Sequence, residues 1–325
     1  MLTELRAIVR QGIDEGVYPG AAWAYGTRSG FVIGSVGNKT YCPESPEVKI
    51  DSIFDLASVS KVVSTTSATI LLVQQNKLSL DSAVAEFIPE FAANGKEKIT
   101  VGHLLRHDAG LIAFRPYHQK VSDHSKVREQ VYAESLTYTP ESKSVYSDLS
   151  MITLADVIAK VSGQAFEEFV RDQVFRPLRM TRTGYFPIGS AVPTFVQPRE
   201  ADRGDCVPTE SIEDWRRKLW AEKGIESISP FRSRESEFIQ GEVHDPTATV
   251  LGGVAGHAGL FSEVTDLAIF AQSLLDKTKT IFDWEVLRNF RTKQRTYSSR
   301  ALGWDTKSPE GSSAGKLYGS LSFGH

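Results

Sequence analysis

The sequence predicts an α/β (α+β) fold, in which an antiparallel sheet is flanked by helices and a mostly helical domain is inserted between the two chain ends. Residues 21–26 and 31–37 are short apolar runs separated by Thr27-Arg28-Ser29-Gly30, a pattern typical of a β-hairpin. Residues 302–325 carry aromatic and apolar side chains in a setting that favours strands. Between these ends, the apolar spacing is mainly helical. We therefore expect both ends of the chain to contribute to one sheet.

This pattern also predicts two domains. Residues 1–80 and 241–325 would form the sheet domain, and residues 81–240 would form the inserted helical domain. The charged segment 201–240, which includes Trp215 and Trp220, is expected to be an excursion on the surface. Ligand sites commonly form between domains, so we expect the active site in the groove between these two.

Individual elements follow from local patterns. Leu2, Leu5, Val9 and Ile13 have helical spacing and predict an amphipathic first helix. A long, mostly apolar helix is expected to start at Ser58 and to end near Asn76, buried in the core. Further helices are predicted over residues 101–105, 149–161, 166–174 and 264–275. Gly163 is expected to end the second of these four.

Composition excludes several classes of protein. The chain has 325 residues, of which 41% are apolar and 24% charged, as in ordinary globular proteins. Its net charge of −3 gives no electrostatic footprint for nucleic acid. It has no apolar run of the roughly 18 residues that would predict a membrane span. The N-terminus lacks the apolar core of a signal peptide, so we expect a cytoplasmic protein, or a periplasmic or secreted one if a leader has been removed.

Cysteine and metal-ligand patterns point to no cofactor. The two cysteines, Cys42 and Cys206, lie far apart in sequence, and we expect thiols, although one disulfide is compatible with the pattern. Neither a CxxC nor an HExxH spacing occurs, so no metal site is predicted. The sequence carries no signal for an oligomeric state.

The strongest chemical signal is Ser58-Val59-Ser60-Lys61, an S-x-x-K motif at the start of the long predicted helix. Positions i and i+3 share a helix face, so Lys61 can reach the Ser58 hydroxyl. A serine hydroxyl is a weak nucleophile that needs an adjacent base, and a lysine can serve if burial lowers its pKa from about 10.4 toward neutrality. The bland interpretation is a helix-capping serine and a solvated lysine. The apolar surroundings of Lys61 argue against that interpretation.

The second signal is Tyr146-Ser147-Asp148, which precedes a predicted helix. A tyrosine can relay a proton between a serine and a leaving group if a nearby ammonium lowers its pKa. Taken alone, Tyr146 fits a packed aromatic side chain better than a proton relay.

The order of four motifs, FDLASVSK, LLRHDAGL, YSDLS and GGVAGHAGLFS, resembles the serine β-lactamase and penicillin-binding protein superfamily. The resemblance is to the branch with class C β-lactamases, D-alanyl-D-alanine peptidases, D-aminopeptidases and related esterases, and it covers essentially the whole chain. It implies a β-lactamase/transpeptidase-like fold and acyl transfer without a metal or organic cofactor. The substrate would be a small ester, peptide or β-lactam.

The resemblance also implies roles for individual residues. Ser58 would be the acylated nucleophile, with its backbone N–H as half of an oxyanion hole. Lys61 would be the base or proton relay, and Tyr146 the general base and acid. For His107 and His257 the resemblance implies structural roles.

Two departures from the family pattern bear on substrate binding. Where lactamases and peptidases usually have asparagine, this chain has Asp148, which accepts hydrogen bonds only when ionised. Asp148 would hold Lys61 charged or repel the carboxylate of a β-lactam. We therefore expect an esterase or D-amino-acid peptidase, with a weak β-lactamase or a non-catalytic ligand-binding member as alternatives.

The second departure concerns the third family motif, K-T-G or H-T-G, which lies on a strand beside the nucleophile. Residues 322–325 resemble the start of that strand, with His325 as the first motif residue and a substrate-binding role. The Thr and Gly that should follow His325 are absent, which we interpret as truncation, with weakened activity as the expected result. The competing choice is His257-Ala258-Gly259, which fits less well because a glycine-rich loop and a helix are expected there instead of strands.

Overall fold

The computed structural model describes residues 2–42, 44–119, 123–188, 190, 192–199, 202–209, 238–308 and 317–325. The α-helices of these residues are α1 (Leu2–Asp14), α2 (Ser67–Gln74), α3 (Val101–Arg106), α4 (His124–Ala133), α5 (Asp148–Ser162), α6 (Phe166–Val170), α7 (Arg176–Leu178), α8 (Asp202–Asp205), α9 (Pro246–Val250), α10 (Val264–Leu275) and α11 (Trp284–Phe290). Short 3₁₀ turns cover Ala57–Val59, Val84–Glu86, Pro89–Ala92 and Tyr117–Gln119, and π-helical turns cover Lys61–Thr66 and Arg171–Phe175. Within the described ranges, no helix combines the length and apolarity needed to cross a bilayer.

The strands are β1 (Gly20–Gly26), β2 (Phe31–Gly37), β3 (Phe54–Asp55), β4 (Gly184–Tyr185), β5 (Leu260–Ser262), β6 (Asp305–Thr306) and β7 (Phe323–Gly324). All pairing between them is antiparallel. In the part of the chain that the structure describes, they form three sheets, β1-β2, β3-β5-β4 and β6-β7.

The predicted hairpin is confirmed. β1 and β2 pair in continuous register from Gly20 opposite Gly37 to Gly26 opposite Phe31. The turn closes with a hydrogen bond from the Thr27 N–H to the Gly30 carbonyl. The first helix is confirmed as α1, and α10 covers the predicted residues 264–275.

The long helix predicted from Ser58 is a composite of three helical forms. The 3₁₀ turn Ala57–Val59 passes into the π-helical turn Lys61–Thr66 and then into α2, which ends at Gln74. The Thr66 and Ser67 hydroxyls donate to the carbonyls of Lys61 and Val62, five residues earlier, and these bonds support the wide turn. All six residues of the π-helical turn are buried, as predicted for a core helix.

Helix α5 packs next to this composite helix and brings the second motif to the first. Ser147 caps its N-terminus by accepting from the Ser150 N–H, and Gly163 ends it at a φ of 70°, as predicted. Gly163 can adopt this left-handed conformation because it has no Cβ. The apolar residues of α5 are almost all buried, including Leu149, Ile152 and Val157.

The predicted surface excursion, residues 201–240, lies mostly outside the described residues, including Trp215 and Trp220. Where it is described, the prediction is wrong, because Asp202 and Arg203 are buried. Asp202 accepts a hydrogen bond from the buried Arg182 guanidinium, which offsets the cost of burying both charges. Both cysteines are free, Cys42 exposed and Cys206 buried. The division into two domains stays a prediction.

The close approach of the glycine-rich loop, residues 252–259, to α5 can be tested by Gly256→Ala. A Cβ at Gly256 would lie 2.2 Å from the Met151 carbonyl oxygen, so either the loop or the helix must shift. We expect the free energy of unfolding to fall by about 1–3 kcal/mol, measured by urea denaturation.

The matched control is Gly30→Ala in the hairpin turn, where a Cβ would meet no heavy atom within 4 Å. Its stability should stay within about 0.5 kcal/mol of the parent protein. Equal stabilities of the two variants would show that the loop does not depend on the missing side chain.

Candidate active site

Ser58 lies directly after a strained residue. Ala57 has a φ of 45°, in the left-handed region that non-glycine residues rarely adopt. Its N–H donates to Asp55 Oδ1 at 2.8 Å, and its carbonyl accepts from the Ser60 hydroxyl at 2.6 Å. These two bonds hold the strained conformation, which places Ser58 in the first helical turn, where backbone N–H groups lack intrahelical acceptors.

Lys61 is fully buried, and its ammonium has an acceptor for each of its three N–H bonds. Nζ donates to Ser58 Oγ at 2.9 Å and to the backbone carbonyl of His257 at 3.0 Å. It also forms an ion pair with Asp148 Oδ1 at 2.8 Å. The structure thus brings the two residues of the S-x-x-K motif into direct contact.

Tyr146 and Asp148 reach Lys61 from the N-terminal end of α5. Lys61 Nζ lies 4.6 Å from the centroid of the Tyr146 ring, and the Arg300 guanidinium lies 4.8 Å from the same centroid. Two cations close to this ring make the surroundings of Tyr146 electropositive. Of the two roles considered for Asp148, its position beside Nζ matches that of a partner for the lysine charge.

His325 contacts the hydroxyl group of Tyr146. Its Nε2 lies 3.1 Å from the Tyr146 hydroxyl oxygen, within hydrogen-bond distance. The His325 side chain is exposed, but partial desolvation beside the cluster and the Lys61 and Arg300 charges lower its pKa to about 4, so its ring is neutral at pH 7. A neutral imidazole nitrogen can accept the tyrosine hydrogen or donate to its oxygen. All five predicted site residues therefore lie in one cluster.

His107 packs against this cluster through Ser147 and Tyr146. It ends α3 in the left-handed conformation, and its Nδ1 accepts from the Ser147 N–H at 3.1 Å. Its ring lies 4.9 Å from the Tyr146 ring. Burial, together with the Arg300, Lys61 and His325 charges, lowers the pKa of His107 well below its usual value. The geometry suits the structural role expected for this histidine.

Sequence reasoning missed the contribution of His257 and Asp245. The His257 backbone carbonyl contacts Lys61, while His257 Nε2 pairs with Asp245 Oδ1 at 2.9 Å. The expectation that no strand follows His257-Ala258-Gly259 is wrong, because β5 begins at Leu260 and pairs with β3 and β4. The Asp245-Pro246 pair, a typical start for a helix, was the available signal for Asp245.

Two carboxylates and an imidazole in this region have the composition of a metal site. One ligand atom each from Asp148, Asp245 and His257 lies within 4.8 Å of the others. The Lys61 ammonium already provides a cation for Asp148, and Asp245 is hydrogen-bonded to His257. A divalent ion there would repel the lysine charge, so the donor set fits an ammonium better than a metal.

An apolar cavity of about 630 Å³ opens beside the cluster. Its walls include Val59, Phe270, Trp304 and Phe323, and His325 lies at its polar edge. The cavity therefore adjoins the residue that follows Ser58.

Chemically, the arrangement joins a serine hydroxyl, a buried amine, a phenol and a neutral imidazole by short contacts. These groups can move a proton from Ser58 Oγ toward Tyr146 while the serine attacks a carbonyl carbon. The backbone N–H of Ser58, in the first helical turn, can help to stabilise the oxyanion that forms.

Comparison with known proteins identifies the family. The profile of the β-lactamase family matches residues 5–325. The chain belongs to the β-lactamase family. This match confirms the resemblance inferred from the four sequence motifs.

Curated relatives of moderate identity support the same assignment. A putative D-alanyl-D-alanine carboxypeptidase of Escherichia coli K12 is 28% identical over 271 residues, which cover 78% of this chain and 58% of the relative. An N-acetylmuramyl-L-alanine amidase of Bacillus subtilis is 30% identical over 278 residues, which cover 79% of this chain and 58% of the relative. The chain thus spans less than two thirds of the length of these relatives.

Solved β-lactamase-family structures confirm the fold. An octameric penicillin-binding protein homologue from Pyrococcus abyssi has a TM-score of 0.69 at 19% identity, covering 94% of this chain and 65% of its own. A class C β-lactamase from Rhodobacter sphaeroides has a TM-score of 0.68 at 16% identity, and the match covers 94% of this chain and 76% of the lactamase. At these identities the likeness extends to the fold alone.

The buried neutral state of His107 should be visible in the pH dependence of stability. Because its pKa is lowered in the folded protein, the unfolded chain takes up a proton first as the pH falls below about 6.5, and the folded state loses stability. We expect His107→Asn to remove this effect, so that between pH 7 and 5 the parent protein loses about 2 kcal/mol more than the variant.

Urea unfolding at pH 7, 6 and 5 measures this difference. Asparagine tolerates the left-handed backbone and keeps an acceptor for the Ser147 N–H, so the variant retains the local structure. Parallel stability curves for the two proteins would contradict a neutral, buried His107.

Proposed function

We propose that this protein is a serine hydrolase that acts through an acyl-enzyme on an ester or amide substrate. The observation that carries the proposal is the 2.9 Å contact between Lys61 Nζ and Ser58 Oγ in a buried setting. The contact places a proton-transfer partner directly beside the oxygen that would attack the substrate. Family membership supports the same chemistry.

In the proposed reaction, one member of the Lys61–Tyr146 pair has first lost a proton. Ser58 Oγ attacks the substrate carbonyl carbon, and the serine proton passes to that member of the pair. Tyr146 then donates a proton to the leaving alkoxide or amine, and the carbon–leaving group bond breaks. In the second step a water molecule gives its proton to the same pair and attacks the acyl carbon. The bond to Ser58 Oγ then breaks, and the pair returns the proton to that oxygen. His325, on the Tyr146 hydroxyl, helps to orient the phenol in both steps.

We propose an ester or a D-amino-acid peptide as the substrate. The relatives named as D-alanyl-D-alanine carboxypeptidase and N-acetylmuramyl-L-alanine amidase support peptide or amide cleavage. Asp148 beside Lys61 places a carboxylate near the reacting centre, which disfavours an anionic substrate group there.

Weak β-lactamase activity is the second candidate, favoured by the same Ser58, Lys61 and Tyr146 cluster. A non-catalytic ligand-binding member is the alternative from a different class. Ser58 acylation separates an enzyme from such a binding protein.

Acylation can be tested with a fluorophosphonate probe and intact-protein mass spectrometry. We expect the parent protein to gain the mass of one adduct and Ser58→Ala to gain none, because the serine oxygen attacks the phosphorus. The matched control is Ser142→Ala, which removes an exposed serine hydroxyl outside the cluster, where it donates to the Thr139 carbonyl. This control should gain the same adduct as the parent protein.

An adduct that persists in Ser58→Ala would place the nucleophile elsewhere. A parent protein that is folded and forms no adduct would favour the binding-protein alternative.

The Asp148→Asn variant tests the substrate argument. It removes a negative charge beside the reacting centre and supplies a hydrogen-bond donor, so we expect severalfold faster turnover of the anionic lactam nitrocefin. A neutral p-nitrophenyl ester serves as the comparison substrate. No gain with nitrocefin relative to the ester would contradict the proposed effect of the Asp148 charge.

A further inference from the structure

The third acceptor of the Lys61 ammonium comes from a loop far away in sequence. Ser58 and Asp148 contact Nζ with their side chains, whereas His257 contacts it with its backbone carbonyl. The position of that carbonyl therefore depends on how the glycine-rich loop, residues 252–259, is held.

On the side of the composite helix, the loop and its continuation into β5 are fixed at two further points. The Thr65 hydroxyl donates to the Gly256 carbonyl at 2.7 Å, and the Leu260 N–H donates to Ser60 Oγ at 3.0 Å. These bonds flank the contact between Lys61 and His257. They align the loop with the helix, but neither holds the His257 side chain.

The His257 side chain is held by Asp245. Its Nε2 lies 2.9 Å from Asp245 Oδ1, and the ring is buried. The same carboxylate oxygen accepts from the Ala248 N–H at 2.7 Å and so caps α9. Asp245 thus ties the loop to the start of a helix.

Asp245 also acts on Lys61 by its charge. Burial opposes its ionised form, but His257, the Ala248 N–H and the Lys61 ammonium together lower the pKa of Asp245 well below its usual value. The interaction is mutual, since a carboxylate stabilised by an ammonium stabilises that ammonium in return.

We propose that Asp245 and His257 are a positioning pair for Lys61. His257 places the backbone carbonyl that orients the ammonium toward Ser58, and Asp245 fixes His257 and contributes negative charge to the amine. This inference rests on the proposed function for its effect on the reaction.

The other groups that bear on the charge of Lys61 come from separate elements. Asp148 favours the ammonium, and Arg300, His107 and His325 are the further titratable groups around Tyr146. The test variants leave all of these unchanged, so a change in the titration of Lys61 reports on the pair alone.

The first test is the pH dependence of Ser58 labelling by the fluorophosphonate. The labelling rate should rise with pH where Lys61 loses a proton, and this rise is the limb of the pH profile that reports on the lysine. In Asp245→Asn we expect this limb to shift to lower pH by about one unit, because an opposite charge has been removed. The matched control is Asp283→Asn, since Asp283 caps α11 through the Glu285 and Val286 N–H groups and has no bond to the site. A rate that falls equally at every pH, with no shift of the limb, overturns the proposed charge effect.

Variants at His257 test the positioning role. His257→Leu removes the bond to Asp245, and we expect labelling to slow by at least tenfold. His257→Gln places an amide N–H where Nε2 lies and should recover most of that loss. Equal rates in the two variants overturn the role of the bond.

A third measurement separates this inference from the proposed function. The ¹H–¹⁵N signal of the Lys61 ammonium, assigned by its absence in Lys61→Met, should vanish at lower pH in Asp245→Asn than in the parent protein or Asp283→Asn. This readout needs no reaction at Ser58. A protein that forms no adduct yet shows the shift refutes the proposed function and supports the pair, whereas an unshifted signal overturns the pair in either case.

Discussion

The burial of one ammonium group determines much of this structure. Removing a charge from water costs several kcal/mol unless the protein supplies hydrogen bonds and an opposite charge. Lys61 receives both, from Ser58, Asp148 and the His257 carbonyl. These acceptors come from the composite helix, from α5 and from the glycine-rich loop, so the packing of three elements serves one side chain.

The composite helix is built to carry this polar centre inside a core. Ser64, Thr66 and Ser67 are fully buried, yet each hydroxyl donates to a carbonyl of the preceding turn. Hydroxyl groups that return their hydrogen bonds to the helix add no unsatisfied donor to the core. The same bonds support the π-helical turn that begins at Lys61, the last residue of the motif.

Much of the fold followed from local pattern. The hairpin, α5 and α10 were predictable because each has an apolar period and a boundary residue, such as Gly163, that act over a few positions. The contact between Ser58 and Lys61 was predictable for the same reason, since residues three positions apart on a helix share a face. The burial of Asp202 was not predictable, because it depends on Arg182, 20 residues away in sequence.

The residues of the candidate site also divide into those that the sequence predicted and those that it did not. Tyr146, Asp148 and His325 were found through resemblance to a family, since nothing in their local sequence shows that they meet Lys61. The His257 carbonyl was missed because every residue has one, and only the fold decides which carbonyl faces a lysine. Asp245 was missed because a helix-capping aspartate is an ordinary feature of many helices.

The sequence distance between Lys61 and the His257 carbonyl, 196 residues, has a consequence for assembly. Closing so long a loop is entropically unfavourable and comes late for a chain that folds from local contacts. Until α5 and the glycine-rich loop have docked, the lysine lacks its acceptors and Ser58 lacks a partner of fixed geometry. A partly folded chain therefore lacks the complete Lys61 cluster, and the assembly of this cluster marks the completion of folding.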